Sequence, residues 1–322
     1  MSSKAKRVVY IGKQADFGTG VNVDVALRAM SSYKMMTEKI KVEENIGSYA
    51  PARHYIGSVK SGGELSLPAA YYDHAPYLVS MALGDGATVF NDPDTTWTFA
   101  IPDATVDTIA VYSLEYGDGA NHIVRGVDVF ATGLEISGEA GKAWVIKVPA
   151  VGGATTKPAA HTATPSPTAA PRTIKMADTV LSIDDAWAGL GTTPLPKLIS
   201  FTWKLENLFH QKLFAGSLSP NDYGNDVWAI SLEVTVEAEH AVTEAEMDKM
   251  LTEDLSVVQI YANDSVAAST YEFQINGVYF IEDVSELDDR DGNNIIKLKY
   301  SGQKDGSGNT GNLIINSALA AL

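Results

Sequence analysis

GSYAP (47–51), VKSGGELSLP (59–68) and DHAPYLVSMALG (73–84) return further along the chain as GSLSP (216–220), VWAISLEVTV (227–236) and VTEAEMDKML (242–251). Gly47, Ser48 and Pro51 precede Gly216, Ser217 and Pro220 by 169 positions, and the same offset carries Glu64-Leu65-Ser66-Leu67 onto Glu233-Val234-Thr235-Val236 and Met81 onto Met250. One spacing that holds across a turn, a strand and a helix marks a duplicated supersecondary unit. The fold expected from it is mainly β, in two tandem units, each with one α-helix.

Within each copy the strand signal is alternation. Trp228, Ile230, Leu232, Val234 and Val236 fall on one face and Ala229, Ser231, Glu233 and Thr235 on the other, as in a half-buried antiparallel strand. Each copy opens with another alternating strand, and Ile40-Lys41-Val42-Glu43 is matched with Trp203-Lys204-Leu205-Glu206. Asp73 is expected to cap the first helix, with Pro76 tolerated in its opening turn and Gly84 stopping it. Thr243 and Glu246 spell a capping box for the second, whose apolar stripe reads Val242, Met247, Met250 and Leu251. Further strands are expected at 97–101, 108–115, 124–134 and 143–148, and again at 256–261, 271–281 and 294–300. Each copy ends in a hairpin, GEAGKAWVIKV (138–148) paralleling DRDGNNIIKLK (289–299).

The expected organisation is an N-terminal arm (1–32), a first unit (33–150), a linker rich in Pro, Thr and Ala (151–196), a second unit (197–302) and a C-terminal tail (303–322). Gly12, Gly18 and Gly20 interrupt the arm. The linker lacks the large apolar residues needed to fold alone, although 179–195 regains some and is placed against the second unit. NLIINSALAAL at the end reads as an edge strand or a segment that docks on a neighbour.

Charge is unevenly placed. The chain has 322 residues and a formal charge of −16, with ten Lys/Arg against five Asp/Glu in residues 1–60 and 14 against 35 in the rest. A basic leading segment on an acidic body suggests docking between copies, and it argues against tight nucleic-acid binding by the body, which needs clustered cations. Lys4, Lys6, Arg7, Lys13, Arg28 and Arg53 are the candidates for contacts between stacked copies.

The same reading excludes several classes. There is no cysteine, hence no disulfide, thiol nucleophile or thiolate metal site. No run of 18 apolar residues spans a membrane and no secretory signal pattern opens the chain. His54, His74, His122, His161, His210 and His240 show no metal-ligand spacing and are expected at the surface or in turns. In DDRDGN (288–293) a calcium loop would need carboxylates where Leu287 and Leu298 stand, so this is a hairpin turn. With no G-x-S-x-G elbow either, no catalytic, cofactor or metal site is expected, and no cofactor.

The order of several motifs is similar to that of the tail tube (major tail) proteins of long-tailed bacteriophages. They are GKQADFGTG (12–20), GGELSLP (62–68) before a helix ending ALG (82–84), RGVDVFATGLEISGEAGKAWVIKV (125–148) and LISFTWKLEN (198–207). The resemblance implies β-sandwich units whose sheets join around a sixfold ring, with rings stacked into a hollow tube that passes phage DNA. Two units per chain then imply a trimer as a pseudo-hexameric ring; a hexamer of chains with one unit outside is the rival arrangement. It also implies tape measure and tail-end proteins as partners, and a place in the virion tail after assembly in the host cytoplasm. Glu64, Glu206, Glu233, Glu272 and Gln274, on polar strand faces, are the candidates to line the lumen, where carboxylates would repel passing phosphates. A carbohydrate-binding or adhesive sandwich is the alternative, with Trp97, Trp144, Trp187, Trp203 and Trp228 as stacking platforms.

Overall fold

The computed structural model describes residues 7–42, 53–91, 94–101, 109–118, 122–153, 155–168, 171–195, 197–206, 208–220, 222–225, 227–237, 240–266, 269–290 and 293–322. Its first half contains β1 (Val8–Lys13), β2 (Val25–Leu27), β3 (Met30–Ser31), β4 (Lys34–Val42), β5 (Arg53–Leu67), α1 (Ala75–Leu83), β6 (Ala87–Asn91), β7 (Asp94–Ala100), β8 (Tyr112–Gly117), β9 (Val124–Ala131), β10 (Leu134–Glu139) and β11 (Val145–Gly152). After β12 (Thr155–Thr156), the second half contains β13 (Thr179–Asp184), β14 (Pro194–Leu195), β15 (Leu198–Glu206), β16 (Phe209–Lys212), β17 (Asp222–Asn225), β18 (Ala229–Glu237), α2 (His240–Thr252), β19 (Leu255–Val266), β20 (Ser269–Arg290), β21 (Asn293–Gly302) and β22 (Gly311–Ser317). Among the described residues the protein is mainly β, every strand pairing is antiparallel, and the two α-helices fall one in each half.

The duplication is written in the ladders. Glu64 and Leu65 of β5 face Pro149 and Val148 of β11, and their counterparts Glu233 and Val234 of β18 face Lys299 and Leu298 of β21. Lys147 therefore corresponds to Lys297, one residue from the match read off the hairpin strings. Strand β20 absorbs the difference in register shifts between Ile281 and Asp283 and between Ser285 and Asp288. The opening strands move further. Gly62 faces Lys34 and Leu65 faces Ser31, whereas Ser231 faces Lys204 and Val234 faces Phe201. Tyr33-Lys34 is thus the partner of Trp203-Lys204, and the similar string at Ile40-Lys41 lies seven residues past the true match. Burial gives the physical reason: Tyr33 and Trp203 are 2% and 0% exposed, while Ile40 is 37% exposed.

Residues 7–32, expected as an arm, form part of this fold. β1 pairs with β8 and with β2, burying Val9 and Ile11. Val9 faces Tyr116 and Leu27 as Leu181 faces Ile260 and Leu195, so β1–β2 and β13–β14 are equivalent first hairpins. The short β-like run at Val8–Ile11 is β1, and the glycine after it has a use in close packing, since a Cβ on Gly12 would run into the Asn22 carbonyl oxygen. The segment expected as an exposed linker is likewise strapped to the first half. The Glu115 carboxylate is fully buried and accepts hydrogen bonds from the Thr162 N–H (3.0 Å) and hydroxyl (2.7 Å), beside His161 Nδ1 at 2.9 Å and Arg125 at 3.6 Å. The equivalent ladder position in the second half carries a neutral pair, with Gln259 donating to Asn276 at 3.0 Å.

The helices differ. In α1 eight of nine residues are buried, the N-cap His74 makes no side-chain cap bond, and Gly84 at φ 78° ends it with its N–H on Ser80 O. Asp73 therefore does not cap it. The second helix starts at His240, which puts Thr243 inside it rather than at its expected N-cap position. Glu246 turns inward instead and accepts from Ser256 Oγ (2.9 Å), Tyr300 OH (3.0 Å) and Lys249 Nζ (3.0 Å). Leu251, expected in the apolar stripe, is 76% exposed. The last strand, β22, is neither an edge nor a docking tail: it lies between β20 and β7 and ties the two halves together.

Candidate functional site: the polar face of a continuous sheet

The element that joins the halves positions the site. β10 of the first half pairs with β15 of the second, Leu134 opposite Leu205, Glu135 opposite Lys204 and Ile136 opposite Trp203. This links eight strands in the order β4, β5, β11, β10, β15, β18, β21 and the final stretch of β20. Alternation sets its two faces: Leu65, Leu67, Ile146, Val148, Leu134, Ile136, Trp203 and Leu205 are buried in the core. The opposite face carries Glu64, Lys147, Glu135, Lys204 and Glu206, which line an open recess of about 430 Å³ with Thr132, Pro149 and His210.

This face is mixed in charge. Glu135 receives Lys147 Nζ at 2.7 Å and lies 3.7 Å from Lys204 Nζ, so one carboxylate is held between two lysines from the strands on either side. The hydrogen bond to Glu135 raises the Lys147 pKa above its ordinary value. Further along, Glu233 stands opposite Lys299, which also faces Asp283. Cross-strand acid–lysine rows of this kind stabilise a sheet by only a few tenths of a kcal/mol per pair, but they leave a hydrated face without a dominant sign.

Of the five lumen candidates, Glu64, Glu206 and Glu233 belong to this sheet. Glu272 and Gln274 do not share it. They sit on the part of β20 that pairs with β19 and β22, where Glu272 accepts from Tyr261 OH (2.8 Å) and Gln274 lies 3.5 Å from Gln259. The sequence signal missed there was length: β20 runs 22 residues and serves two sheets, bending at the irregularity after Ile281. The residues missed on the polar face are the lysines, whose alternation with Glu135 was visible in the strings LEISG and VIKV.

Among the candidates for stacking contacts, Lys4 and Lys6 lie outside the described residues, and Arg53 lies in β5. The other three are engaged within the chain: Arg7 donates to Tyr116 OH (2.9 Å), Lys13 pairs with Asp85 (2.7 Å) and Arg28 donates to Thr168 O (2.9 Å). Of the histidines expected at the surface or in turns, His74 lies in a turn but is buried at 1% exposure, and the His161 side chain is buried against Glu115. Trp97, Trp144 and Trp203 are core residues, which removes them as stacking platforms. The turn at 291–292 lies outside the described residues, but the strands flanking it pair as a hairpin, Arg290 opposite Asn293. Among the described residues no cluster of three His, Asp or Glu could hold a metal ion, and no helix is long and apolar enough to cross a membrane.

No curated protein matches this chain. A family model described as phage tail tube protein matches residues 4–303.

Proposed function

We propose, from the premise that this chain belongs to the phage tail tube protein family, that it is the repeating subunit of a hollow tail tube built from rings of three chains. The family assigns a structural role in the tube. What supports the finer reading is the eight-stranded sheet: it ends in β4 on one side and the end of β20 on the other, and among the described residues neither has a partner strand on its outer side. Three copies joined edge to edge give a closed sheet of 24 strands, three times eight, and closure removes the open edges that otherwise invite uncontrolled association. Each half gives this sheet four counterpart strands and carries one helix, so each chain supplies two of six wall segments, and a hexamer of chains with an outer unit has no spare unit to place outside.

The polar face with Glu64, Glu135, Glu206 and Glu233 lines the lumen in this reading, and the core with α1 and α2 faces outward. Carboxylates interleaved with lysines present DNA with a wet surface that neither traps nor excludes it, a change from the purely acidic lining expected from net charge. Glu272 and Gln274 lie away from the lumen. The division into two units is retained, with the first hairpins β1–β2 and β13–β14 included in them. The partners are other copies of the chain, tape measure and tail-end proteins, and DNA in transit; the location is the virion tail, after assembly in the host cytoplasm.

Negative-stain electron microscopy of the purified protein tests this. Rings or filaments with a central hole are expected. Monodisperse solid particles at every concentration would contradict the reading.

A further inference from the structure

The joint that closes the ring is specified by the joint inside the chain. We infer that the end of β20, residues 283–289, pairs antiparallel with the edge formed by residues 30–36 of a second copy, in the register by which β10 pairs with β15. This rests on the tube reading and adds to it a partner strand, a register and a charge pattern.

Each half of the argument comes from ladder equivalence. On one side, Lys34 and Tyr33 occupy the places of Lys204 and Trp203, since Gly62 and Ser231 are counterparts and face Lys34 and Lys204. On the other, Leu134 and Glu135 stand where Val284 and Ser285 stand: Glu135 faces Lys147, Ser285 faces Lys297, and the two lysines are counterparts. Transferring the observed pairs Leu134–Leu205 and Glu135–Lys204 puts Val284 opposite Met35 and Ser285 opposite Lys34 of the neighbour.

Charge and exposure agree with that placement. Lys34 is the one charged residue of 30–36, and the stretch 283–289 that would face this segment carries Asp283, Glu286, Asp288 and Asp289. Inside the chain Glu135 sits between Lys147 and Lys204. At the open edge Lys297 and Lys299 flank the acidic strand from within, and Lys34 of the second copy would flank it from outside. Met35, the counterpart of the fully buried Leu205, is 41% exposed in the single chain, as a core residue lacking its cover should be. The hairpins beyond this point also correspond, Lys39–Ile56 to Phe209–Asn225 and Ile40–Tyr55 to His210–Gly224. The second of these hairpins folds over the first half, its Leu218 carbonyl accepting from Val59 N at 2.7 Å. The first carries exposed Ile40, Tyr55 and Ile56, and the same rotation places it on the neighbour's second half near Trp228 and Gly302.

The chain has no cysteine, so engineered pairs can be oxidised without background. In assembled protein, Lys34→Cys with Ser285→Cys should link neighbours into a covalent trimer on a non-reducing gel. The level should be at least about ten-fold above that of Met35→Cys with Ser285→Cys, because a shift of one residue turns the side chain to the other face. Glu135→Cys with Lys204→Cys, opposite each other within one chain, reports the oxidation yield. Micrographs of the same samples separate the two claims. Rings that show no trimer link, or link through the shifted pair, overturn the inferred joint and leave the tube reading standing; absence of any ring overturns both.

Discussion

The junction of β10 with β15 and the bare edges at β4 and the end of β20 are the same structural place, filled once inside the chain and left open at its two ends. The filled copy is more apolar. Phe209 packs edge-on to Phe130 at 6.4 Å and Leu208 donates its N–H to the Thr132 carbonyl, whereas the ladder counterparts of Leu208 and Phe209 are Glu38 and Lys39. A joint made once during folding can rely on burying hydrocarbon. A joint made later between soluble chains must keep its edges hydrated until they meet, and charge complementarity does that while steering the encounter.

The sharpest way to break the comparison is to cut the same place in both copies. Leu205→Ala, in the filled joint, removes a fully buried side chain opposite Leu134 and should cost about 2–5 kcal/mol of chain stability. Met35→Ala at the open edge should change the stability of the isolated chain by no more than about 0.5 kcal/mol, yet impair ring formation. Denaturant titration of unassembled protein together with ring yield measures both; a large stability loss in Met35→Ala would mean the edge is already covered.

A pH titration compares the two halves. Burial, and then the Arg28 charge, hold His74 down at about 4 from an ordinary 6.5. Its Nδ1 accepts the Arg28 N–H at 3.3 Å, a bond only the neutral ring can accept. The unfolded chain takes up this proton first as pH falls, so stability is complete above pH 6.5 and is lost as pH drops from there through 4. The loss reaches at most about 3 kcal/mol. From pH 6.5 down to 4 the melting temperature of the parent should fall further than that of His74→Leu, and hydrogen exchange should show the acid loosening first around α1.

The smallest effect expected concerns how each helix is tethered. Glu246→Gln replaces a buried carboxylate that Ser256, Tyr300 and Lys249 all donate to, at a cost of about 1–3 kcal/mol. In the other copy Ser80 meets Tyr112 hydroxyl to hydroxyl, and Ser80→Ala should cost about 1 kcal/mol. Equal shifts in thermal unfolding would show that the ionic tether adds nothing.

Strand identity was legible wherever one face is buried, because alternation then has to be strict; β5, β18 and the terminal hairpins were readable for that reason. The places misread are those where the chain does two jobs. The β4–β5 hairpin keeps alternating beyond the core, so Ile40-Lys41 mimics Trp203-Lys204 although the buried aromatic is Tyr33. Strand β1 showed as a short β-like run, but the glycines after it made the rest of 1–32 read as an arm, and β22 is too short to announce that it ties the two halves together. The polar face was half legible: its glutamates stood out against net charge, but the lysines that pair with them become neighbours only through the ladder.

A cross-section of the assembled protein by electron cryomicroscopy tests the central claim most directly. The account predicts a closed sheet around a channel, with two alternating kinds of wall segment repeated three times and β4 of one chain beside the end of β20 of the next. Six identical segments with the second half of each chain outside the wall would contradict it.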